Sequence, residues 1–195
     1  MPDDSVRDSG SSIDHRHLLL VGAGPGLGMA VARRFAEGGY RVTLVARSTD
    51  GLGQLADSLA DSGAQIDTLA ADASDPETLR ARMAELYNEQ GAPGLIIYNA
   101  VMGAPDQLLS SSVEHLQTAY AVDVIGAIVV TQVAAPVMRA AGSGTIIVTG
   151  GGFADHPIPA LCSSCGRASH GPLQVYLTRP ANPISPLGPF FRFAL

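Results

Sequence analysis

The sequence predicts an α/β fold built on a doubly wound parallel sheet, and three observations carry that reading. Short apolar runs without polar alternation recur along the chain, the form taken by parallel strands covered on both faces. Segments of helical period separate them, so that each strand is followed by a crossover. A glycine-rich turn, Gly22-Ala23-Gly24-Pro25-Gly26-Leu27-Gly28, follows the first of these runs.

Taken in order, residues 18–21, 41–46, 66–70, 95–98 and 145–149 read as strands, and residues 26–38, 52–62, 76–90 and 113–141 as helical segments. The third helix is well punctuated. Asp75 can cap it, Pro76 suits its first position, and Ser74 with Glu77 makes a capping box. The fourth is long enough to be two helices broken near Gly126. Residues 1–16 are polar and without apolar period, so they are expected to form a mobile tail, to which His15 and His17 are assigned, with folding starting at His17 or Leu18. Residues 151–195 are rich in Pro and Gly and are expected to be irregular, which leaves residues 17–150 as the folded domain.

Composition narrows the function. A chain of 195 residues, 46% hydrophobic, suits one domain with a sizeable core. Its net charge of −6 offers no attraction to nucleic acid or anionic lipid. The apolar runs 18–21 and 125–130 are far short of the roughly 20 residues of a membrane span. The first residues carry neither a basic nor an apolar segment of a secretory signal, and 2 Cys are a poor disulfide framework. The expected setting is cytoplasmic, and the expected partner a small molecule. Cys162 and Cys165, flanked by His156 and His170, match no common zinc spacing and are read as incidental, so no metal site is expected.

The glycine turn carries the chemistry. Glycines there permit a tight turn, close approach of backbone to a pyrophosphate, and helix packed on strand without an intervening Cβ. The helix that follows presents free N–H groups and a partial positive charge. The spacing is G-x-x-x-G-x-G through Gly22, Gly26 and Gly28.

With Asp72 after the third strand, Asn99-Ala100 after the fourth, and the run Val122-Asp123-Val124-Ile125-Gly126, Thr131-Gln132, Pro136-Val137-Met138, the chain resembles the short-chain dehydrogenase/reductase family from about Leu18 to Gly152. The resemblance implies a Rossmann-like sheet of order 3-2-1-4-5, lacking the family's last strands, and a nicotinamide cofactor. It implies a cofactor site of Gly22, Gly26, Leu27, Gly28, Arg47, Asp72, Asn99 and Ala100, with Asp72 holding the adenine ring. An acidic residue closing the second strand would bond a ribose 2′-hydroxyl and favour NAD. Ala46 stands there with Arg47 beside it, so NADP is expected over NAD, since a guanidinium pairs well with a 2′-phosphate.

The family transfers hydride between nicotinamide and a carbonyl or secondary alcohol, using Tyr, Lys, Ser and Asn. This sequence departs at each position. Asp123 stands for the Asn and is the catalytic-region residue that is still polar; Gly150 and Gly151 stand at the Ser; and Ser163, Ser164, Arg167 and Ala168 lie where Tyr-x-x-x-Lys is expected. All 12 cationic side chains are Arg, which stays protonated and takes no part in proton exchange. Tyr176 with Arg179 has the wrong separation to substitute, Thr149 is expected to point into the packing, and Tyr98 is a lesser candidate to reach the nicotinamide. A non-catalytic NADP(H)-binding module, or an inactive remnant with a bare edge at the fifth strand, are the alternative readings. The family's dimer interface draws on a helix not found here, which puts a homo-oligomer in doubt.

Overall fold

The computed structural model describes residues 13–102 and 110–150, and the backbone of 173–177 and 192–194. Strand β1 is Ile13–Val21, followed by α1 (Leu27–Glu37), β2 (Arg41–Ala46), α2 (Thr49–Asp57), a 3-10 turn at Ala60–Ser62, β3 (Ile66–Ala70), α3 (Pro76–Gln90) and β4 (Ala92–Tyr98). Then come α4 (Val113–Tyr120), a π-helical segment at Ala121–Ile125, α5 (Gly126–Ala140), β5 (Thr145–Thr149), β6 (Leu173–Leu177) and β7 (Arg192–Ala194). The order of the sheet is β3-β2-β1-β4-β5-β6-β7. The five strands read from the sequence are parallel in the order 3-2-1-4-5.

Alternate residues of one strand serve two cores. Leu18 and Leu20 of β1 pack with Ala32 and Ala36 of α1 and Leu52 of α2, whereas Leu19 and Val21 pack with Met83 of α3 and Val130 and Met138 of α5. Both faces are therefore covered, which is why the strands read as unbroken apolar runs.

Four sequence expectations need correction. The first strand begins at Ile13, inside the segment read as a tail. Its polar start pairs with Ala92 and Pro93 across a register shift between Asp14 and Leu18. Gly94 permits this, because a Cβ there would lie 2.7 Å from the Asp14 carbonyl oxygen and from the His15 Cα. Arg16 then donates to the Gly38 carbonyl and lies 5.5 Å over the Tyr40 ring. Second, residues 52–62 are not one helix. Ser48 accepts from the Gly51 N–H and starts α2 at Thr49, and the chain turns into a 3-10 turn closed by Gly63 at φ 69°. Third, Asp75 alone caps α3, accepting from the Thr78 N–H at 3.1 Å, while the Ser74 hydroxyl turns to Asp72, so no capping box forms. Fourth, the edge of β5 is not bare, since β6 pairs with it antiparallel and β7 lies parallel to β6 within the segment read as irregular.

The long helix is not interrupted at Gly126. The Gly126 N–H reaches back to the Ala121 carbonyl, a five-residue step that takes it off the Val122 carbonyl it would bond in an α-helix. The hydroxyl of Tyr98, a fully buried residue, donates to that carbonyl. Residues Val113–Ala140 are together long and apolar enough to cross a membrane, but half of their most apolar stretch is buried inside the fold. They form the core helix between β4, β5 and α3.

His17, expected in the mobile tail, is instead wholly buried between β1 and β2, with Nε2 2.7 Å from the Thr43 hydroxyl and Nδ1 unpartnered among the described residues. Burial, and then the nearby Arg41 guanidinium, lower its pKa from 6.5 to about 4. The neutral ring belongs to the folded state, so its stabilising contribution is complete above pH 6.5 and is lost as pH falls toward 4. The shift corresponds to on the order of 3 kcal/mol. Urea denaturation across this range should show His17→Gln losing less stability on acidification than the parent chain; parallel curves would refute the assignment.

Candidate functional site

The C-terminal ends of β1, β2, β3 and β4 open onto a cleft of about 550 Å³. It is the crevice at the point where strand order reverses, the usual ligand site of open α/β sheets. The structure brings Gly22, Gly26, Leu27, Gly28, Arg47, Asp72, Asn99 and Ala100 together around it.

The glycine turn forms one wall. Gly22 has φ 91°, and a Cβ there would fall on the backbone of Ala100 and Asn99. A Cβ on Gly28 would lie 3.0 Å from the Gly22 carbonyl oxygen. Turn, strand and helix are thus close-packed through their backbones. The Gly22 and Ala23 N–H groups both donate to the Val45 carbonyl, at 2.9 and 3.0 Å, which ties the turn to β2. Helix α1 starts with no side-chain cap and no acidic residue in its first turn, so its positive end is left uncompensated toward the cleft. Leu27 is 58% exposed at that end.

Also lining the cleft, Arg47 follows β2 with its side chain exposed and joins none of the ion pairs found among the described residues. Ser48, Gly51, Gln54 and Leu55 line the cleft beside it, residues that the sequence reading did not assign to the site. Asp72 is half-buried, with Oδ1 accepting both the N–H and the hydroxyl of Ser74 at 2.8 Å. The floor is held by Asn99. Its N–H donates to the Val21 carbonyl at 2.7 Å, its Nδ2 to the Gly22 carbonyl at 3.0 Å, and its Oδ1 accepts from the Thr149 hydroxyl at 2.9 Å.

Asp123 is not part of the cleft lining. It is 3% exposed, and Oδ1 accepts the N–H of Met102 at 2.9 Å, so it fixes a cleft residue from beneath. Tyr98 does not face the cleft either, because its hydroxyl is turned to the helix. Thr149, expected to point into packing, reaches Asn99 instead. Gly150 brings no side chain to the end of β5; Gly151, Ser163, Ser164, Arg167, Ala168, Arg179, the two cysteines, His156 and His170 lie outside the described residues, as do the side chains of β6, Tyr176 included.

A glycine turn packed on its neighbours without room for a Cβ at Gly22, a helix N-terminus with no acidic side chain in its first turn, and a guanidinium that joins no ion pair among the described residues together fit a ligand with phosphates at both places. Fold and cleft define a Rossmann-like α/β domain. The model of the short chain dehydrogenase family matches residues 16–164, and the chain belongs to that family. An uncharacterised oxidoreductase of Mycobacterium tuberculosis is 30% identical over 136 residues, 69% of this chain and 52% of that protein. A 3-dehydrosphinganine reductase of Arabidopsis thaliana is 29% identical over 66% of this chain and 38% of its own length. The chain spans about half the length, or less, of these curated relatives. Among solved structures, L-sorbose reductase from Gluconobacter frateurii, complexed with NADPH and L-sorbose, is similar with a TM-score of 0.74 and 26% identity, over 82% of this chain and 62% of that one. A short-chain dehydrogenase from Sphingobium yanoikuyae in complex with NADPH gives 0.71 and 27%, over 78% and 60%.

Proposed function

We propose that this chain is an NADP(H)-dependent oxidoreductase acting on the carbonyl or secondary alcohol of a small molecule. The observation that carries the cofactor choice is Arg47 on the lip of the cleft, in no ion pair among the described residues and next to Ala46 where a carboxylate would favour NAD. The two structures cited above, at 26% and 27% identity, hold NADPH. In this reading the Gly22–Gly28 turn and the start of α1 take the pyrophosphate, Arg47 the 2′-phosphate, Asp72 the adenine, and Asn99 with Ala100 the nicotinamide half. The bound nicotinamide would supply or accept the hydride. Asp123 is the polar residue proposed for the catalytic end, acting through Met102 and the chain around it.

Thermal unfolding with and without NADPH and NADH tests this. NADPH at a hundredfold its Kd should stabilise by about 2.7 kcal/mol, a shift of a few degrees, and NADH by less. Arg47→Ala should weaken NADPH by roughly tenfold or more and leave NADH within about twofold, as expected for loss of one charge-assisted contact. A chain indifferent to both nucleotides, or an Arg47→Ala variant with undiminished NADPH affinity, would defeat the proposal. A second reading, a non-catalytic NADP(H)-binding module, is favoured by the lack of any lysine and by glycine at the serine position. Consumption of NADPH with a panel of ketones and aldehydes separates the two.

A further inference from the structure

Asn99 is held at both ends of its side chain, and the two bonds are not independent. Its Nδ2 faces the Gly22 carbonyl at 3.0 Å, and a carbonyl accepts only, so the amide must present its NH₂ there. That leaves Oδ1 for the Thr149 hydroxyl at 2.9 Å, which therefore donates. The Tyr98 carbonyl lies 3.3 Å from the same hydroxyl, but one proton serves one acceptor best, and Asn99 is the nearer. Turned by 180°, the Asn99 amide would put oxygen against the Gly22 oxygen. The Gly22 carbonyl sets the amide orientation, and the hydroxyl at the end of β5 holds the amide in it from the other end. The Gly22 residue is consequently fixed on both sides, with its N–H on Val45 of β2 and its C=O on Asn99 after β4.

We propose that Thr149 is a positioning residue for the phosphate-binding turn, acting through the Asn99 amide on the Gly22 carbonyl. The inference rests on the dinucleotide reading above. It requires no contact between Thr149 and the ligand. A turn held from one side only must be ordered when pyrophosphate binds, and that cost lowers affinity.

The test is NADPH titration by calorimetry on the full chain, with adenosine 2′-monophosphate as a probe that carries the adenine and 2′-phosphate but no pyrophosphate. Thr149→Val, close in shape and well suited to a strand, should weaken NADPH by roughly five- to tenfold, the loss of about one hydrogen bond. Thr149→Ser, which keeps the hydroxyl, should bind NADPH within about twofold of the parent. Adenosine 2′-monophosphate should bind all three chains alike. Should Thr149→Val fail to unfold cooperatively, Thr149→Ala carries the test, because it removes the hydroxyl that bonds Asn99 and adds no bulk; it must weaken NADPH similarly. Unchanged NADPH affinity in the variant, no rescue by serine, or equal weakening of both ligands overturns the positioning role. If the parent chain itself does not bind NADPH, the dinucleotide reading fails first and takes this inference with it; if the parent binds and the variants match it, only the inference fails.

Discussion

Gly22→Ala should lose about 3 kcal/mol or more of folding stability, and no NADPH-dependent rise in Tm should remain. Two costs add. The residue sits at φ 91°, where an L side chain is strained by roughly 1–2 kcal/mol. The new methyl group would also overlap the backbone of Asn99 and Ala100, and no rotamer change can move a backbone aside. Relief requires β1 and β4 to separate at their C-terminal ends, which breaks the bond from the Asn99 N–H to the Val21 carbonyl and opens the floor of the cleft. Urea denaturation reads the first effect and nucleotide-dependent melting the second. A Gly22→Ala chain within 1 kcal/mol of the parent would mean that this close approach is wrong.

The second large effect is expected at Gly126. A Cβ there would fall on the Tyr98 hydroxyl and lie 2.9 Å from the Ala73 carbonyl oxygen. Gly126→Ala should therefore cost about 2–4 kcal/mol by displacing a fully buried ring and leaving the Val122 carbonyl without its donor. Tyr98→Phe alone should cost about 1–2 kcal/mol, since it orphans the same carbonyl but keeps the ring. The two changes address one contact, so their costs should not add. In a double-mutant cycle, Tyr98→Phe should be nearly neutral, or stabilising, once Gly126 is alanine. Strict additivity would show that the hydroxyl does not fill the space the glycine leaves.

These two glycines show how legible the site was. Gly22 could be read from its place after an apolar run and before a helix, because the need for a backbone free of Cβ at a phosphate turn is local and repeats wherever strand feeds helix. Gly126 looked like a helix break, and its real partner is a tyrosine on β4 that spacing does not point to. Arg47 was found from its place at the end of the second strand, and Asp72 and Asn99 from their resemblance to family motifs; all three line the cleft because parallel strands deliver their C-terminal ends to one side of the sheet. Ser48, Gln54 and the Thr149 hydroxyl were missed for want of a signal within their own segments.

By itself, then, the sequence determined the alternation of strands and helices and the glycine turn, since apolar period, caps and glycine spacing act over a few residues, while the order 3-2-1-4-5 and most of the cleft rim followed from its resemblance to the family. Only the tertiary structure decided that a polar segment from Ile13 would join the sheet, that His17 would be buried neutral, and that the long helix would take a π step over Tyr98. It likewise decided that Thr149 would reach the glycine turn through Asn99. Each of these depends on contacts between residues far apart in the chain, where packing and the need to pair buried polar groups override local preference.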